Sequence, residues 1–363
     1  MPPEDRATGA QELPGDFAAR IVAWQRSHGR SELPWQNTQD PYRVWLSEVM
    51  LQQTQVSTVL GYFGRFLERF PTVRALAEAS EDEVMGLWSG LGYYSRARHM
   101  HRCAQDVVSR FGGAFPSTAA ELETLPGIGR STAAAIAAFS FGERAAILDG
   151  NVKRVLTRVL AFQGDLASAA QEKALWALAT RLLPVSTQPD AIAGYTQGLM
   201  DLGATVCLPR NPSCMICPAS ELCAGRREGA PERFPIKSRK LRRSAQSLWM
   251  LEARDAKGRV WLEKRLSSGI WAGLYCLPVY ESRALLLDEL APAARLTVQD
   301  APAFVHVLTH KDLHLHPVVV TYGAELSPTV PGSWFDAGEW PVLGLPSPVR
   351  KLLSAERTAR PSS

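Results

Sequence analysis

The chain has 363 residues, more than one ordinary domain holds, so two compact domains with separate cores are expected. Hydrophobic residues make up 46% and charged residues 21%, which excludes wholesale disorder, and no apolar run approaches the roughly 20 residues of a membrane span. The net charge of +4 is too small to require a polyanionic partner, but it is unevenly spread: between Gly225 and Ser244 eight basic residues stand against only Glu228 and Glu232. The opening Met-Pro-Pro-Glu-Asp-Arg lacks the basic-then-apolar order of a signal peptide, so a cytoplasmic chain without a membrane anchor is expected.

Residues 1–15 read as a flexible tail, and Phe17, Ile21, Val22 and Trp24 predict a first helix that Gly29 ends. Leu33-Pro34-Trp35 makes a stiff corner. Pro41 then suits a helix start, Val44, Trp45, Val49, Leu51 and Val56 recur at helical spacing, and no Gly or Pro interrupts before Gly61. Glu48 lies within this apolar, amide-rich segment, one turn from Trp45 and Leu51. Desolvated there, its carboxyl would hold a proton to a higher pH and could protonate a leaving group. The alternative is an exposed helical Glu paired with Arg43.

Helical patterns continue over 58–70, 81–89, 95–111, 118–125, 129–141, 151–161, 171–183 and 189–202, with short Pro- or Gly-bearing connections, so the chain to about residue 224 is nearly all α. In Leu125-Pro-Gly-Ile-Gly-Arg-Ser-Thr-Ala133, Gly127 and Gly129 let the backbone turn tightly before a helix and point amides at an anion, the form of a helix-hairpin-helix that grips DNA phosphate. Asp149 precedes Gly150 and the next helix, where it serves either as an N-cap or as a second, ionised carboxylate. Cys207, Cys214, Cys217 and Cys223 fall within seventeen residues and suit zinc or an iron-sulfur cluster. Cys103 and Cys276 read as core residues.

After the basic linker, 247–253 and 258–264 predict a hairpin turning at 255–258, 304–309 and 313–322 a further strand pair, and 281–290 and 349–356 helices. These make an α+β domain of roughly 110 residues. His306, His310, His314 and His316 invite a metal reading, but strand alternation sends some of these rings to opposite faces.

Together, Ser-Glu-Val-Met-Leu-Gln-Gln-Thr-Gln, Leu-Gly-Tyr-Tyr-Ser-Arg-Ala-Arg, the Pro-Gly-Ile-Gly segment, Ile-Leu-Asp-Gly-Asn-Val-Lys-Arg and the cysteine spacing resemble the MutY-type adenine DNA glycosylases. These lie within the helix-hairpin-helix superfamily that includes endonuclease III. The resemblance covers about Leu33 to Leu353 and implies a multidomain chain: an all-α helix-hairpin-helix domain over 16–224 with an iron-sulfur loop, a basic linker over 225–244, an α+β Nudix-like domain over 245–353, and a tail over 354–363. It implies a 4Fe-4S cluster on Cys207, Cys214, Cys217 and Cys223, and a monomeric base-excision enzyme acting on duplex DNA, where it removes adenine paired with 8-oxoguanine or guanine.

By the same resemblance Glu48 protonates adenine at N7, Asp149 stabilises the oxocarbenium-like sugar and Asn151 helps order the water. Trp35 and Gln36 line the adenine pocket. Gln53, Leu91 and Tyr93 fill or wedge the duplex around the mispair, and Gly127, Gly129, Ser131 and Lys153 contact DNA. Ser131 stands where strand-cutting lyases carry a Schiff-base Lys, so a monofunctional glycosylase is expected, with weak scission by Lys153 left open. The C-terminal domain lacks the Glu-rich magnesium helix of active Nudix hydrolases and reads as a module that recognises the oxidised guanine. Its contact loop is Leu308, Thr309 and His310, where the family commonly has Phe-Ser-His, so an aromatic face is lost. The rival readings are an endonuclease III-like lyase, a DNA-binding protein with structural carboxylates, and a nucleotide-pool Nudix hydrolase.

Overall fold

The computed structural model describes residues 13–185, 189–238, 243–323 and 327–359. The N-terminal tail up to residue 12, and linker residues 239–242, lie outside the described residues. Helices form at α1 (Phe17–His28), α2 (Pro41–Leu51), α3 (Val56–Arg69), α4 (Val73–Glu78), α5 (Glu81–Trp88), α6 (Ser95–Phe111), α7 (Ala119–Leu122), α8 (Arg130–Phe141), α9 (Gly150–Val159), α10 (Ala169–Arg181), α11 (Pro189–Asp201), α12 (Ala224–Arg227), α13 (Arg283–Asp288), α14 (Pro292–Arg295) and α15 (Ser347–Ala359). Strands are β1 (Ser244–Arg254), β2 (Val260–Lys264), β3 (Tyr275–Cys276), β4 (Val279–Tyr280), β5 (Gln299–Asp300), β6 (Phe304–Val307), β7 (Lys311–Thr321) and β8 (Ser333–Phe335). No helix among the described residues is long and apolar enough to cross a membrane.

The chain forms two compact units, one of Met1–Val56 with Asp106–Lys240 and one of Ser57–Gln105 with Leu241–Ser363. These units divide the helical region, whereas the expected boundaries at 224 and 245 follow the chain.

In the first unit, α1 buries Phe17 and Ile21 in a core shared with Val152, Val155 and Leu156 of α9, Leu175 of α10 and Tyr195 and Leu199 of α11. Gly198 permits the close approach of α11 to α1, since a Cβ there would stand 2.7 Å from Ile21 Cγ2. Helix α8 buries Ala133 to Ala138, small side chains that let α2 lie against it. Asp40 caps α2 by accepting the Tyr42 N–H at 3.0 Å, and Pro41 supplies the pre-set first turn. The helical spacing expected through Val56 instead stops at Leu51, because Gln53 adopts the left-handed conformation (φ 56°). The amide-rich Gln52-Gln53-Thr54-Gln55 offers no apolar side chain to bury, and helix resumes at Val56. A five-residue π-helical turn, Leu202–Val206, leads from α11 to Cys207 and has no counterpart in the sequence reading. The first part of the expected linker is packed: it contains α12, and Leu166 N–H donates to Ile236 O at 3.0 Å.

The second unit combines α3 to α5, most of α6 and the whole C-terminal region. Phe63, Phe66, Phe70 and Trp88 are buried, with Phe66 edge-on to Trp88 at 5.8 Å. The sheet runs β3-β2-β1-β7-β5, with β4 on β1, β6 on β7 and β8 on β2. Its centre is the parallel pair β1 and β7, in register from Ser244↔Lys311 to Arg254↔Thr321. Leu248, Met250, Leu313 and Leu315 enter one core cluster and Leu251, Ala253, Val318 and Val320 another, so both faces are covered. The helical and C-terminal parts of this unit are laced by Lys264 to Asp82 (2.5 Å), Arg98 to Ala272 O (2.6 Å) and the Tyr94 hydroxyl to Leu345 O (2.7 Å). Helix α15 reaches Ala359, so 354–359 are helical where a tail was expected; Val349 and Leu353 anchor that helix in the core.

Candidate active site and cysteine cavity

Packing along α2 determines the state of one carboxyl: Val44, Trp45, Leu46, Ser47, Val49 and Met50 are all buried beside Glu48, which keeps only part of its surface exposed. Arg43, its expected exposed partner, pairs with Asp40 instead, at 3.7 Å. Burial pushes the Glu48 carboxyl up to about 8, and the charge of Asp149 adds to the rise. Asp149 caps α9, accepting the Val152 N–H at 2.7 Å, which is the first of its two expected roles. Burial raises Asp149 as well, but the backbone N–H groups of Val152 and Asn151 and the charges of Arg154 and Lys153 pull it down. Two neighbouring carboxyls cannot both ionise freely, and the donors surround only Asp149. The pair therefore holds its charge on Asp149 and its proton on Glu48.

In the same unit, Trp35 is buried, at 8% exposure, and Gln36 is oriented by accepting the Leu33 N–H on Oε1 at 3.2 Å. That orientation leaves the buried Gln36 Nε2 without a hydrogen-bond partner. A buried donor left unmade is costly, and here it is available to an incoming acceptor. Gln53 is exposed on its left-handed turn. Gly127 has φ 77°, which favours glycine, and Gly129 caps α8 from the extended region. Ser131 accepts the Leu148 N–H at 3.0 Å, tying α8 to the residue before Asp149. Lys153 forms an ion pair with Glu172 of α10.

All four of Cys207, Cys214, Cys217 and Cys223 line a single small cavity that is partly open to solvent, and all are free thiols. Among the described residues no three His, Cys, Asp or Glu side chains form a ready metal-ion site. The cavity wall is apolar at Val155, Leu202 and Val206 and positive at Arg158 and Arg226. Arg158, only 2% exposed, donates to Cys207 Sγ at 3.3 Å, Leu208 O at 2.7 Å, Pro209 O at 2.9 Å and Phe234 O at 3.2 Å. Four soft donors beside buried cationic groups fit an anionic iron-sulfur group.

Arg154, one turn earlier on α9, donates to Asn151 Oδ1 at 2.8 Å, Gly203 O at 2.6 Å and Cys207 O at 2.7 Å. Asn151 is thus fixed by an arginine that also holds the first cysteine. Sequence reasoning missed Arg154 and Arg158 as the cationic groups beside the cysteines. Their spacing of four along a helix that follows Asp149 was the available signal.

In the second unit Leu91 is buried, at 6% exposure, while Tyr93 is 46% exposed with φ 47°. Arg96 braces this loop, donating to Leu91 O and Gly92 O and lying over the Trp88 and Tyr93 rings. The Tyr93 hydroxyl meets the Thr309 hydroxyl at 2.8 Å. Leu308, by contrast, packs against the domain core. His306 lies near Trp271, whereas His316 stacks on Trp249 at 4.5 Å.

Comparison with known proteins agrees with this architecture. Residues 46–181 match the HhH-GPD superfamily of base excision DNA repair proteins, and residues 249–355 match the NUDIX domain. An adenine DNA glycosylase of Buchnera aphidicola is 34% identical over 93% of this chain and 96% of its own, and the human adenine DNA glycosylase is 42% identical over 60% of this chain and 41% of its own. A thermostable thymine-DNA glycosylase of known structure superposes with a TM-score of 0.51 at 28% identity, covering 58% of this chain and 95% of that one. With a helix-hairpin-helix glycosylase region, a C-terminal Nudix-like region and whole-length relatives of one kind, the chain belongs to the MutY-type adenine DNA glycosylases.

Proposed function

We propose that this chain hydrolyses the N-glycosidic bond of adenine paired with 8-oxoguanine or guanine in duplex DNA, with Glu48 as general acid and Asp149 as the stabilising carboxylate. The observation that carries the reading is the opposed environment of the two groups: one kept protonated to about 8, the other capped by backbone N–H groups. Adenine must leave the stack to be reached, which costs least at a mismatch. Glu48 gives its proton to N7, the C1′–N9 bond breaks with its electrons passing to the base, and the Asp149 carboxylate offsets the positive charge on the sugar. Water then supplies hydroxide to C1′ and its proton returns to the carboxyl pair. Gln36 Nε2 offers the pocket an unused donor, and Asn151, held by Arg154, helps fix the polar groups beside Asp149.

The hydroxyl of Ser131 cannot form a Schiff base, which supports a monofunctional enzyme. Cys207, Cys214, Cys217 and Cys223 would hold a 4Fe-4S cluster, whose role there is to stiffen the loop that Arg154 and Arg158 tie to α9. The exposed Gln53 and Tyr93 contact the duplex, Gly127, Gly129 and Ser131 its phosphates, and Leu308, Thr309 and His310 the base opposite adenine. The test is incubation of iron-replete protein with duplexes carrying adenine opposite 8-oxoguanine, guanine or thymine. Free adenine from the first two, with strand breaks only after alkali, supports the proposal; breaks without alkali favour a lyase, and no adenine defeats it.

A further inference from the structure

The turn at residues 308–310 is held by its backbone, and two of its three carbonyls are taken by the side chain of one residue at the edge of the linker. Arg243 Nη2 donates to Leu308 O at 2.9 Å and Nη1 to Thr309 O at 3.3 Å, and the next residue, Ser244, gives its N–H to His310 O at 3.1 Å. Three successive carbonyls of the turn are therefore taken by residues 243 and 244. The Leu308 N–H closes the turn on Lys311 O at 2.8 Å. Asp312, on the strand leaving the turn, forms an ion pair with Arg243 and so fixes the guanidinium that fixes the turn. Only the planar, five-donor fork of an arginine can reach two carbonyls and a carboxylate from one position.

We propose that Arg243 is a positioning residue that presets the 308–310 turn for telling 8-oxoguanine from guanine opposite adenine; this rests on the reading of that turn given above. The two bases differ only at N7 and C8, so discrimination depends on hydrogen-bonding groups held within about half an ångström of their working place. With the carbonyls of the turn bound from behind, the side chains of Thr309 and His310 are presented from a fixed backbone, and the Thr309 hydroxyl is oriented by Tyr93. The Arg243 side chain is 41% exposed and its ion pair adds little to stability. Its replacement should therefore show in selectivity before it shows in folding.

The experiment measures single-turnover adenine release by the full chain from duplexes with adenine opposite 8-oxoguanine and opposite guanine. For Arg243→Gln the ratio of the two rates should fall roughly fivefold, the loss of about one net hydrogen bond, with the guanine rate and the thermal midpoint unchanged. Arg243→Lys, which keeps the charge but not the fork, should recover part of the ratio. Thr309→Ala is the reference and should lower it at least as far. Equal loss on both duplexes would make Arg243 a phosphate contact and overturn the proposal. An unchanged ratio in Arg243→Gln, with a lowered one in Thr309→Ala, would overturn it while leaving the reading of the turn intact; no change in either variant would remove that reading and the proposal together.

Discussion

Glu48 owes its proton to neighbours that cannot solvate a charge, with Trp45, Val49 and Met50 closing around it on α2. Glu48→Gln should therefore lower adenine release by about a thousandfold while keeping mismatch affinity, as read by single-turnover kinetics and gel-shift titration. Because the folded carboxyl titrates near 8 and an unfolded one near 4.5, the folded state binds the extra proton between those values. Stability falls as pH rises through that window, so Glu48→Gln should stabilise the folded state at neutral pH by on the order of 1–3 kcal/mol and so raise the thermal midpoint. Gln36→Leu removes a buried donor without a partner but also the acceptor of the Leu33 N–H, so the two effects on folding offset, while KM for adenine-containing duplexes should rise, a split that steady-state kinetics resolves. Glu48 was legible because its apolar neighbours are written beside it in sequence. The orphaned amide of Gln36 was not, since it depends on which way the Leu33 N–H turns that side chain. Arg158 was hidden for a similar reason: a basic residue on a helix is ordinarily solvated, and only tertiary structure surrounds this one with carbonyls.

At the scale of elements, the sequence conveyed helices with strong apolar periodicity and the hairpin between β1 and β2, and it missed the break after α2. Nothing in Gln52-Gln53-Thr54-Gln55 is a conventional helix breaker; the left-handed Gln53 is imposed by the surrounding fold and exposes its side chain. Gln53→Gly should stabilise the protein by about 0.5–1 kcal/mol in denaturant unfolding and weaken mismatch binding. Helix α9 carries Asp149 at its start and Arg154 and Arg158 along its length, so the cysteine loop and one carboxyl of the candidate pair share one rigid element. Arg158→Leu should leave Leu208 O, Pro209 O and Phe234 O without that donor and cost about 3 kcal/mol or more. Iron content per chain and the thermal midpoint should fall together; full iron retention would show that the loop is held without Arg158.

Across the whole molecule, chain order and compactness disagree. Residues 57–105 belong to the helical region by sequence, yet they form one compact unit with the C-terminal α+β region, through Asp82, Tyr94 and Arg98. Periodicity can identify those helices but not the partner of their outer faces, because the pairing joins segments about 180 residues apart. Deleting 241–363 should accordingly lower the thermal midpoint of what remains and expose apolar surface to a dye, not yield an independently stable helical enzyme.

The most direct measurement is single-turnover adenine release from an 8-oxoguanine–adenine duplex by the wild-type chain and by Glu48→Gln, followed from about pH 6 to about pH 9. Wild-type turnover should decline as pH rises through about 8, where Glu48 loses its proton, and Glu48→Gln should be slow throughout. Wild-type turnover that is flat across this range, or a Glu48→Gln variant that keeps its rate, would contradict the assignment of Glu48 as the acid.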